Sequence, residues 1–171
     1  MLDFLNHIKT QSEEQLRAEL KELYSSFEVV RGYYAIKLKP DILDQKLLDK
    51  YTTQITQAIY PNERMQGGLN LDKVKHIIEQ LSSDTTVKYY IEVALHAIEE
   101  CTGMANEYGG DFGDDFYIYF EELFGDVIQM IVQHNLQNDY RARLIDVKNS
   151  ATEAYGHYDQ LNDVYAQYIG E

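Results

Sequence analysis

Apolar residues recur every three or four positions along almost all of this 171-residue chain, and that period constrains the fold more than any other feature of the sequence. An α-helix repeats every 3.6 residues, so side chains at this spacing share one face, which can be buried. No segment alternates apolar and polar residues as a half-buried strand does. Only two prolines, Pro40 and Pro61, interrupt the pattern. The sequence therefore predicts an all-α protein.

Capping residues and prolines divide the first part of the chain into helices. Ser12, with Gln15 three residues later, predicts a capping box at the start of a helix that runs to Lys39. Pro40 ends that helix, because the residue before a proline avoids helical backbone angles. Pro40 and Asp41 then suit the first turn of the next helix. Leu16, Leu20, Leu23 and Phe27 are predicted to share one face of the first of these helices, and the predicted buried stripe of the next is Leu43, Leu47, Tyr51, Ile55 and Ile59.

Further breaks divide the rest of the chain. The segments YPNERMQGG (residues 60–68) and SSDTT (82–86) separate helices, and Asn70 is a helix cap between them. A long helix is predicted over residues 87–107. The connections are short, so successive helices are expected to pack as antiparallel hairpins. The prediction is a single domain over residues 1–171, a bundle of about seven to nine helices.

The stretch EYGGDFGDDFYIYFEELF, residues 107–124, follows the long helix and contains six carboxylates but no lysine or arginine. Its aromatic residues recur at intervals of four, which predicts a buried face once the next helix has begun. Its glycines are expected to end one helix and turn the chain. Asp114 or Asp115 is expected to cap the helix that follows.

The same stretch can be compared with known cation and phosphate loops. An EF-hand loop aligned from Asp111 places Gly113 where a side-chain ligand is needed and Phe116 where the turn needs glycine, so that loop is excluded. A looser divalent-cation site stays open as an alternative, because hard cations bind clustered oxygens. Its ligands would be Glu107, Asp111, Asp114 and Asp115. No phosphate-binding loop and no G-x-S-x-G nucleophile motif occurs.

Glutamates and histidines share helix faces in two places. These are Glu92, His96 and Glu100, and Glu153 with His157. Two such faces could form a carboxylate–histidine metal site where they meet, but the Glu-x-x-His pattern of di-iron bundles is absent. Glu92, Glu99 and Glu100 lie off the apolar stripe of their helix, so a solvated face is the favoured interpretation.

Negative charge is concentrated in the second half of the chain. The chain carries a net charge of −14; residues 1–85 have 13 acids and 11 bases, whereas residues 86–171 have 16 acids and 4 bases. The 52 residues between Lys88 and Arg141 contain 11 acids and no base. Such a surface repels phosphate backbones and anionic membranes, so neither direct nucleic-acid binding nor membrane association is expected. It serves either solubility alone or docking of a basic partner or a cation.

Two features favour a cytoplasmic location. The first residues, MLDFLNHIKT, have neither the leading positive charge nor the long apolar run of a secretion signal. The single cysteine, Cys101, cannot form an internal disulfide, which is typical of a reducing compartment. Cys101 also falls on the apolar face of its helix, where a free cysteine behaves as a small hydrophobe rather than a nucleophile.

Four segments together resemble a family of small, all-helical bacterial proteins that is known only as a domain of unknown function. They are ELKELYSSFEVVRGYYAIKLKP, IYPNE, NEYGGDF and YGHYDQLNDVYAQY, which span nearly the whole chain. The family pattern near the end has glycine, an aromatic residue, His-Asp and leucine, whereas this chain has Gly156, His157, Tyr158 and Asp159. The resemblance implies an all-helical fold and a bacterial cytoplasmic protein, and it implies no activity.

The resemblance also directs attention to two helix ends. Asn106, Glu107 and Tyr108 end one helix, while His157 and Asp159 begin another. If these ends meet, they form a polar cluster beside the acidic junction of Asp111, Asp114 and Asp115. Helix ends leave backbone groups unpaired, so these side chains serve either as caps or as a binding site for a partner or ligand.

The functional prediction is a non-enzymatic binding or adaptor domain whose acidic second half contacts a protein partner of basic character. No catalytic residue and no cofactor is assigned. The first alternative is an enzyme or sensor that uses a divalent cation held by the Glu107–Asp115 carboxylates. The second is an acidic mimic of nucleic acid that occupies a DNA-binding protein.

Overall fold

The computed structural model describes residues 2–38, 45–60, 69–81 and 87–170. Within these ranges the chain forms nine α-helices and no strand, so the predicted all-α bundle of seven to nine helices is confirmed. The backbone groups into two compact units, Met1–Ile42 and Leu43–Glu171. The single domain over residues 1–171 stays a prediction.

The first unit contains three helices: α1 (Leu2–Thr10), α2 (Glu13–Ser26) and α3 (Glu28–Leu38). The predicted capping box is present, because the Ser12 hydroxyl accepts from the Gln15 amide and the Gln15 side chain accepts from the Ser12 amide. Neither α1 nor α2 contains a buried residue. The predicted apolar face of α2 is therefore not buried within the described residues.

The prediction of one helix continuing from Ser12 to Lys39 is wrong. Phe27 has extended backbone angles, φ −116° and ψ 122°, and ends α2. The end of a helix leaves carbonyl oxygens without an intrahelical partner. The guanidinium of Arg31, in α3, donates to two of them, the carbonyls of Ser25 at 2.7 Å and Tyr24 at 3.4 Å. This contact stabilises the break. Lys39 itself, Pro40 and Asp41 lie outside the described residues.

The second unit contains six helices, and the long helix in its middle contributes more buried residues than any other helix of the described ranges. The helices are α4 (Gln45–Ile59), α5 (Leu71–Leu81), α6 (Val87–Glu107), α7 (Asp114–Gln133), α8 (Gln137–Ser150) and α9 (His157–Ile169). A 3₁₀ turn, Ala154–Gly156, precedes α9. Helix α6 buries 13 of its 21 residues and packs against α4, α5, α7 and α8. Helix α7 packs against α6, α8 and α9.

Two local signals in this unit behave as the sequence predicts. Asn70 caps α5, since its side-chain oxygen accepts from the Lys73 amide at 3.0 Å. The aromatic repeat of α7 is buried through Phe116, Phe120 and Phe124. The predicted breaks at residues 61–68 and 82–86 lie outside the described residues. No helix in the described ranges is both long enough and apolar enough to cross a membrane.

Candidate functional site

The junction between α6 and α7 is built on glycines. Gly110 and Gly113 have φ angles of +75° and +82°, in a region that side chains disfavour. Gly113 is the N-cap of α7 and offers no side-chain hydrogen bond, so the prediction that Asp114 or Asp115 caps α7 is wrong. Both aspartates instead lie in the first helical turn, where a negative charge meets the positive end of the helix dipole.

This junction contacts the segment between α8 and α9. A side chain at Gly110 would place its Cβ 2.9 Å from the Ala154 Cβ and 3.2 Å from the Tyr117 hydroxyl oxygen. The Tyr117 hydroxyl donates to the Gly110 carbonyl at 2.5 Å. One turn earlier, the Asn106 side-chain amide donates to the Ser150 carbonyl at 2.8 Å and so satisfies the end of α8. The absence of a side chain at Gly110 allows the two segments to approach this closely.

Two tyrosines join the same segments. The Tyr117 and Tyr155 rings stack with centroids 5.0 Å apart and an interplanar angle of 24°. The Tyr155 hydroxyl donates to the Asp111 carboxylate at 2.8 Å, and this hydrogen bond, with the carboxylate's charge, raises the pKa of Tyr155. Tyr155 has φ +56°, a left-handed conformation that is uncommon for a residue with a side chain. The contact between the two segments therefore holds Tyr155 in an unusual conformation.

His157 contributes to the packing of α9 on α7. Its Nδ1 lies 2.8 Å from a carboxylate oxygen of Glu121, and its ring is 5.0 Å from that of Tyr117. The residue is only 3% exposed, so a partner cannot reach the ring unless the local structure opens. Sequence reasoning missed Glu121, because it is one of several acids in α7 and lies 36 residues from His157.

The other predicted site residues are not all brought together. Glu107, Tyr108, Asp114, Asp115 and Asp159 are exposed. Asp159 lies in the first turn of α9. Among the described residues, which include all the carboxylates of the divalent-cation alternative, no three His, Cys, Asp or Glu side chains form a group able to hold a metal ion. That alternative thus has no ready-made ligand set here.

An ion-pair network links α6 to α8. The Arg143 guanidinium donates to both carboxylate oxygens of Glu99, at 2.5 and 2.8 Å, and to Glu92 at 2.6 Å. The Tyr140 hydroxyl donates to the same Glu92 at 2.8 Å. Burial and then Glu92 raise the pKa of Tyr140. Burial lowers the pKa of Arg143, but its bonds to Glu99 and Glu92 outweigh burial and raise it overall.

This network corrects the interpretation of Glu92 and Glu99 as part of a solvated face. Both side chains are only partly exposed, at 23% and 35%. Their spacing of seven residues places them two turns apart on one side of α6. That spacing, with so few bases in the second half of the chain, was the only available signal, and it did not identify Arg143 as their partner.

A groove of about 250 Å³ lies between α6 and α8. It is lined by Glu99, Thr102, Gly103, Asn106, Asp146, Val147 and Ser150. The Thr102 hydroxyl is buried and has no hydrogen-bond partner among the described residues. Two carboxylates, Glu99 and Asp146, lie at the groove, but most of its accessible surface is apolar, and the sequence pattern gave no indication of it.

The exposed carboxylates of the junction and α7 form what we call the acidic surface. It comprises Glu107, Asp111, Asp114, Asp115, Glu122 and Asp126. In the part of the chain that the structure describes, none of the six forms an ion pair with a lysine or arginine. Burial, and to a smaller extent the like charge of the neighbouring Glu122, raises the pKa of Asp126.

Comparison with known proteins identifies one family. A family model described as a family of unknown function (DUF6155) matches residues 2–168. Neither the curated proteins nor the solved structures gave a match. The expected resemblance to an uncharacterised helical family is thereby confirmed.

Proposed function

The chain belongs to the DUF6155 family of unknown function, and we propose that it is a non-enzymatic binding domain whose acidic surface contacts a basic protein partner. The observation that carries the proposal is the set of six exposed carboxylates without a lysine or arginine partner among the described residues. Asp115, Glu122 and Asp126 are seven and four residues apart, so they share one side of α7.

Two of the three bases of α8 are engaged elsewhere. Arg143 binds Glu92 and Glu99, as described above. The Lys148 ammonium donates to the Asn162 side chain at 2.7 Å and lies 5.2 Å from the centre of the Tyr165 ring. Because these cations are used in packing α8, they do not neutralise the acidic surface. Lysine and arginine side chains of a partner would supply the missing counter-charge.

Two observations support a binding role rather than catalysis. Burial raises the pKa of the Cys101 thiol well above its usual value, so the reactive thiolate is disfavoured. The buried His157 is held by Glu121 rather than presented to a cleft. Neither group is placed as an activated nucleophile or an accessible base.

The proposal is tested with a fluorescent peptide of alternating arginine and lysine, titrated with the protein and followed by anisotropy. The double variant Asp115→Asn/Glu122→Gln removes two charges from the acidic surface. The matched control Glu14→Gln/Glu22→Gln removes two from α2, again with one in a first helical turn. We expect the first variant to weaken binding about fivefold, roughly 1 kcal/mol, and the control to leave it nearly unchanged.

Salt provides the second arm of the experiment. Exposed charges are screened from one another beyond about 8 Å at physiological ionic strength, so the affinity for the peptide should fall as the salt concentration is raised from ~20 to ~300 mM. Equal weakening by the two double variants would contradict the proposal, because it would show attraction to net charge rather than to this surface. The same variants, used as bait in a bacterial lysate, then rank captured proteins by their dependence on Asp115 and Glu122.

A further inference from the structure

Exposed apolar side chains are concentrated in the first unit. Among the described residues fifteen large apolar side chains are exposed, and ten of them lie in residues 2–38. We call these ten the N-terminal apolar set: Leu2, Phe4, Leu5, Leu20, Leu23, Tyr24, Phe27, Val29, Tyr33 and Leu38. Four of the five others are tyrosines, which carry a polar hydroxyl, and the fifth is Ile118. Soluble proteins seldom leave such a concentration uncovered unless it binds something.

The set is arranged as packing surfaces are. In α2, the side chains of Leu16, Leu20, Leu23 and Phe27 follow each other at intervals of four, three and four, which is the spacing of a helix–helix seam. Polar contacts lie off this face: Arg17 donates to Glu13 at 2.7 Å. Because α1 and α2 bury no residue, burial within the first unit contributes little to their stability. These helices need an apolar partner.

Charge indicates which partner. Residues 2–38 contain six acids and five bases, a net charge of −1, so the remaining −13 of the chain lies elsewhere. Two copies therefore repel each other least at this unit. In addition, α2 has four acids and two bases, whereas α3 has one acid and two bases. When α2 of one copy, with a net charge of −2, faces α3 of another, with a net charge of +1, the two helices attract each other. A twofold axis between the copies would form this α2–α3 contact twice.

We propose that the N-terminal apolar set is a self-association surface through which two copies of this chain form a symmetric dimer. The second copy supplies the same number of apolar side chains and a near-neutral surface. A basic partner of the kind expected at the acidic surface has no comparable electrostatic attraction to residues 2–38. This inference is independent of the proposed function, because it uses different residues and a different driving force.

Sedimentation velocity of the full chain, from about 1 to 200 µM, tests the proposal over the range that separates weak from moderate dimers. Leu20→Asp places a charge in the α2 face, and Ile118→Asp is the matched control, since the two side chains are 46% and 50% exposed. We expect a concentration-dependent dimer whose dissociation constant rises at least about tenfold for Leu20→Asp and stays unchanged for Ile118→Asp. A monomer throughout the range, or equal effects of both variants, overturns the proposal.

Cross-linking keeps the test decisive if Leu20→Asp is poorly folded. The native Cys101 is buried, so Leu23→Cys adds a single accessible thiol, and a short bis-maleimide can then join two chains only at that position. We expect covalent dimers with Leu23→Cys and not with Ile118→Cys. Dimerisation should persist at high salt, where apolar contacts are not screened, whereas peptide binding to the acidic surface should weaken. A dimer lost at high salt would contradict the apolar mechanism.

Discussion

Helices α2 and α7 carry the same kind of sequence pattern in opposite surroundings. Each has apolar residues at three- and four-residue spacing and acidic residues in its first turn. Helix α7 buries eight residues against its neighbours, whereas α2 buries none. Periodicity therefore identifies which side of a helix is apolar, but not whether the same chain covers that side. Differences within matched pairs of variants measure what burial and local contacts contribute in these surroundings.

The largest difference is expected between two phenylalanines. Phe124 in α7 is fully buried, and Phe27 at the end of α2 is 55% exposed. Phe124→Ala removes a core side chain and leaves a cavity, so it should lower the free energy of unfolding by about 3–5 kcal/mol. Phe27→Ala should lower it by less than about 0.5 kcal/mol in dilute solution, because an exposed ring loses little.

Urea unfolding of both variants, followed by far-UV circular dichroism at low protein concentration, gives the comparison. Equal losses for Phe27→Ala and Phe124→Ala would mean that the α2 face is buried in the isolated chain. That result would remove the contrast between the two regions. It would also remove the argument that a second copy of the chain covers the N-terminal apolar set.

The next difference concerns two arginine–glutamate contacts. Arg143 is bound by two partly buried glutamates, while Arg17 and Glu13 are both more than three-quarters exposed. Arg143→Met leaves Glu92 and Glu99 without their cation and should cost about 2 kcal/mol, since hydrogen bonds to charged groups are worth about 1.5–3 kcal/mol. Arg17→Met should cost under about 0.5 kcal/mol, as exposed helical pairs do.

Chemical denaturation at low and high salt measures both arginine variants. The cost of Arg143→Met should persist at high salt, because partly buried pairs are screened less than exposed ones. If Arg143→Met unfolds no more easily than Arg17→Met, the network between α6 and α8 is not a stabilising contact.

A smaller difference is expected between two glycines of the junction. Alanine at either Gly110 or Gly113 is strained by the positive φ, at about 1–3 kcal/mol. A Cβ added at Gly110 would also lie 2.9 Å from the Ala154 Cβ. A Cβ added at Gly113 would have no neighbouring atom within 4 Å. Gly110→Ala should therefore be less stable than Gly113→Ala by at least about 1 kcal/mol, the usual cost of overpacking.

Thermal unfolding of the two glycine variants, followed by far-UV circular dichroism, distinguishes backbone strain from crowding against Ala154. Equal destabilisation would indicate that the junction and the segment before α9 do not approach as closely as Gly110 and Ala154 do in this structure.

The same regions differ in how much of their structure could be predicted from the sequence. The bounds of α6 and the capping of α5 by Asn70 were predictable because they depend on residues within one helix. The break at Phe27 was not, since neither proline nor glycine marks it and its stabilising contact comes from Arg31, which lies in the next helix. Local chemistry predicts where a helix can start, while a contact from outside that helix decides whether it ends.

The same limit applies to the candidate site. The glycine junction was visible because positive φ angles need glycine at Gly110 and Gly113. The partners of His157 and Arg143 were not, because they lie 36 to 51 residues away in the sequence. No periodic pattern in a single sequence identifies contacts between residues this far apart, so the ion-pair network was not predictable. The acidic surface was predictable, because it follows from the concentration of acidic residues in the second half of the chain.

The smallest effect is expected at the acidic surface. Burial and Glu122 raise the pKa of Asp126 above its unfolded value, so the folded state holds that proton more tightly than the unfolded state. Ionisation of Asp126 as the pH rises therefore costs stability. Asp126→Asn removes that cost and should stabilise the protein at neutral pH by a few tenths of a kcal/mol, roughly the penalty for like charges four residues apart. The gain should vanish as the pH falls below about 4, where the carboxyl is protonated in both states.

Asp115→Asn is the control on the same helix, and it should have the opposite sign. Asp115 lies in the first turn of α7, where a negative charge favours the helix, so its removal should cost about 0.3–1 kcal/mol. Urea unfolding at pH 7 and at acidic pH compares the two variants. Should Asp126→Asn destabilise the protein at pH 7, a cation must already neutralise this side of α7, and a basic partner would find no unpaired charge there. Opposite signs for the two aspartates would instead mean that the charge at Asp126 is retained at a cost to folding, as expected of a surface that exists to bind.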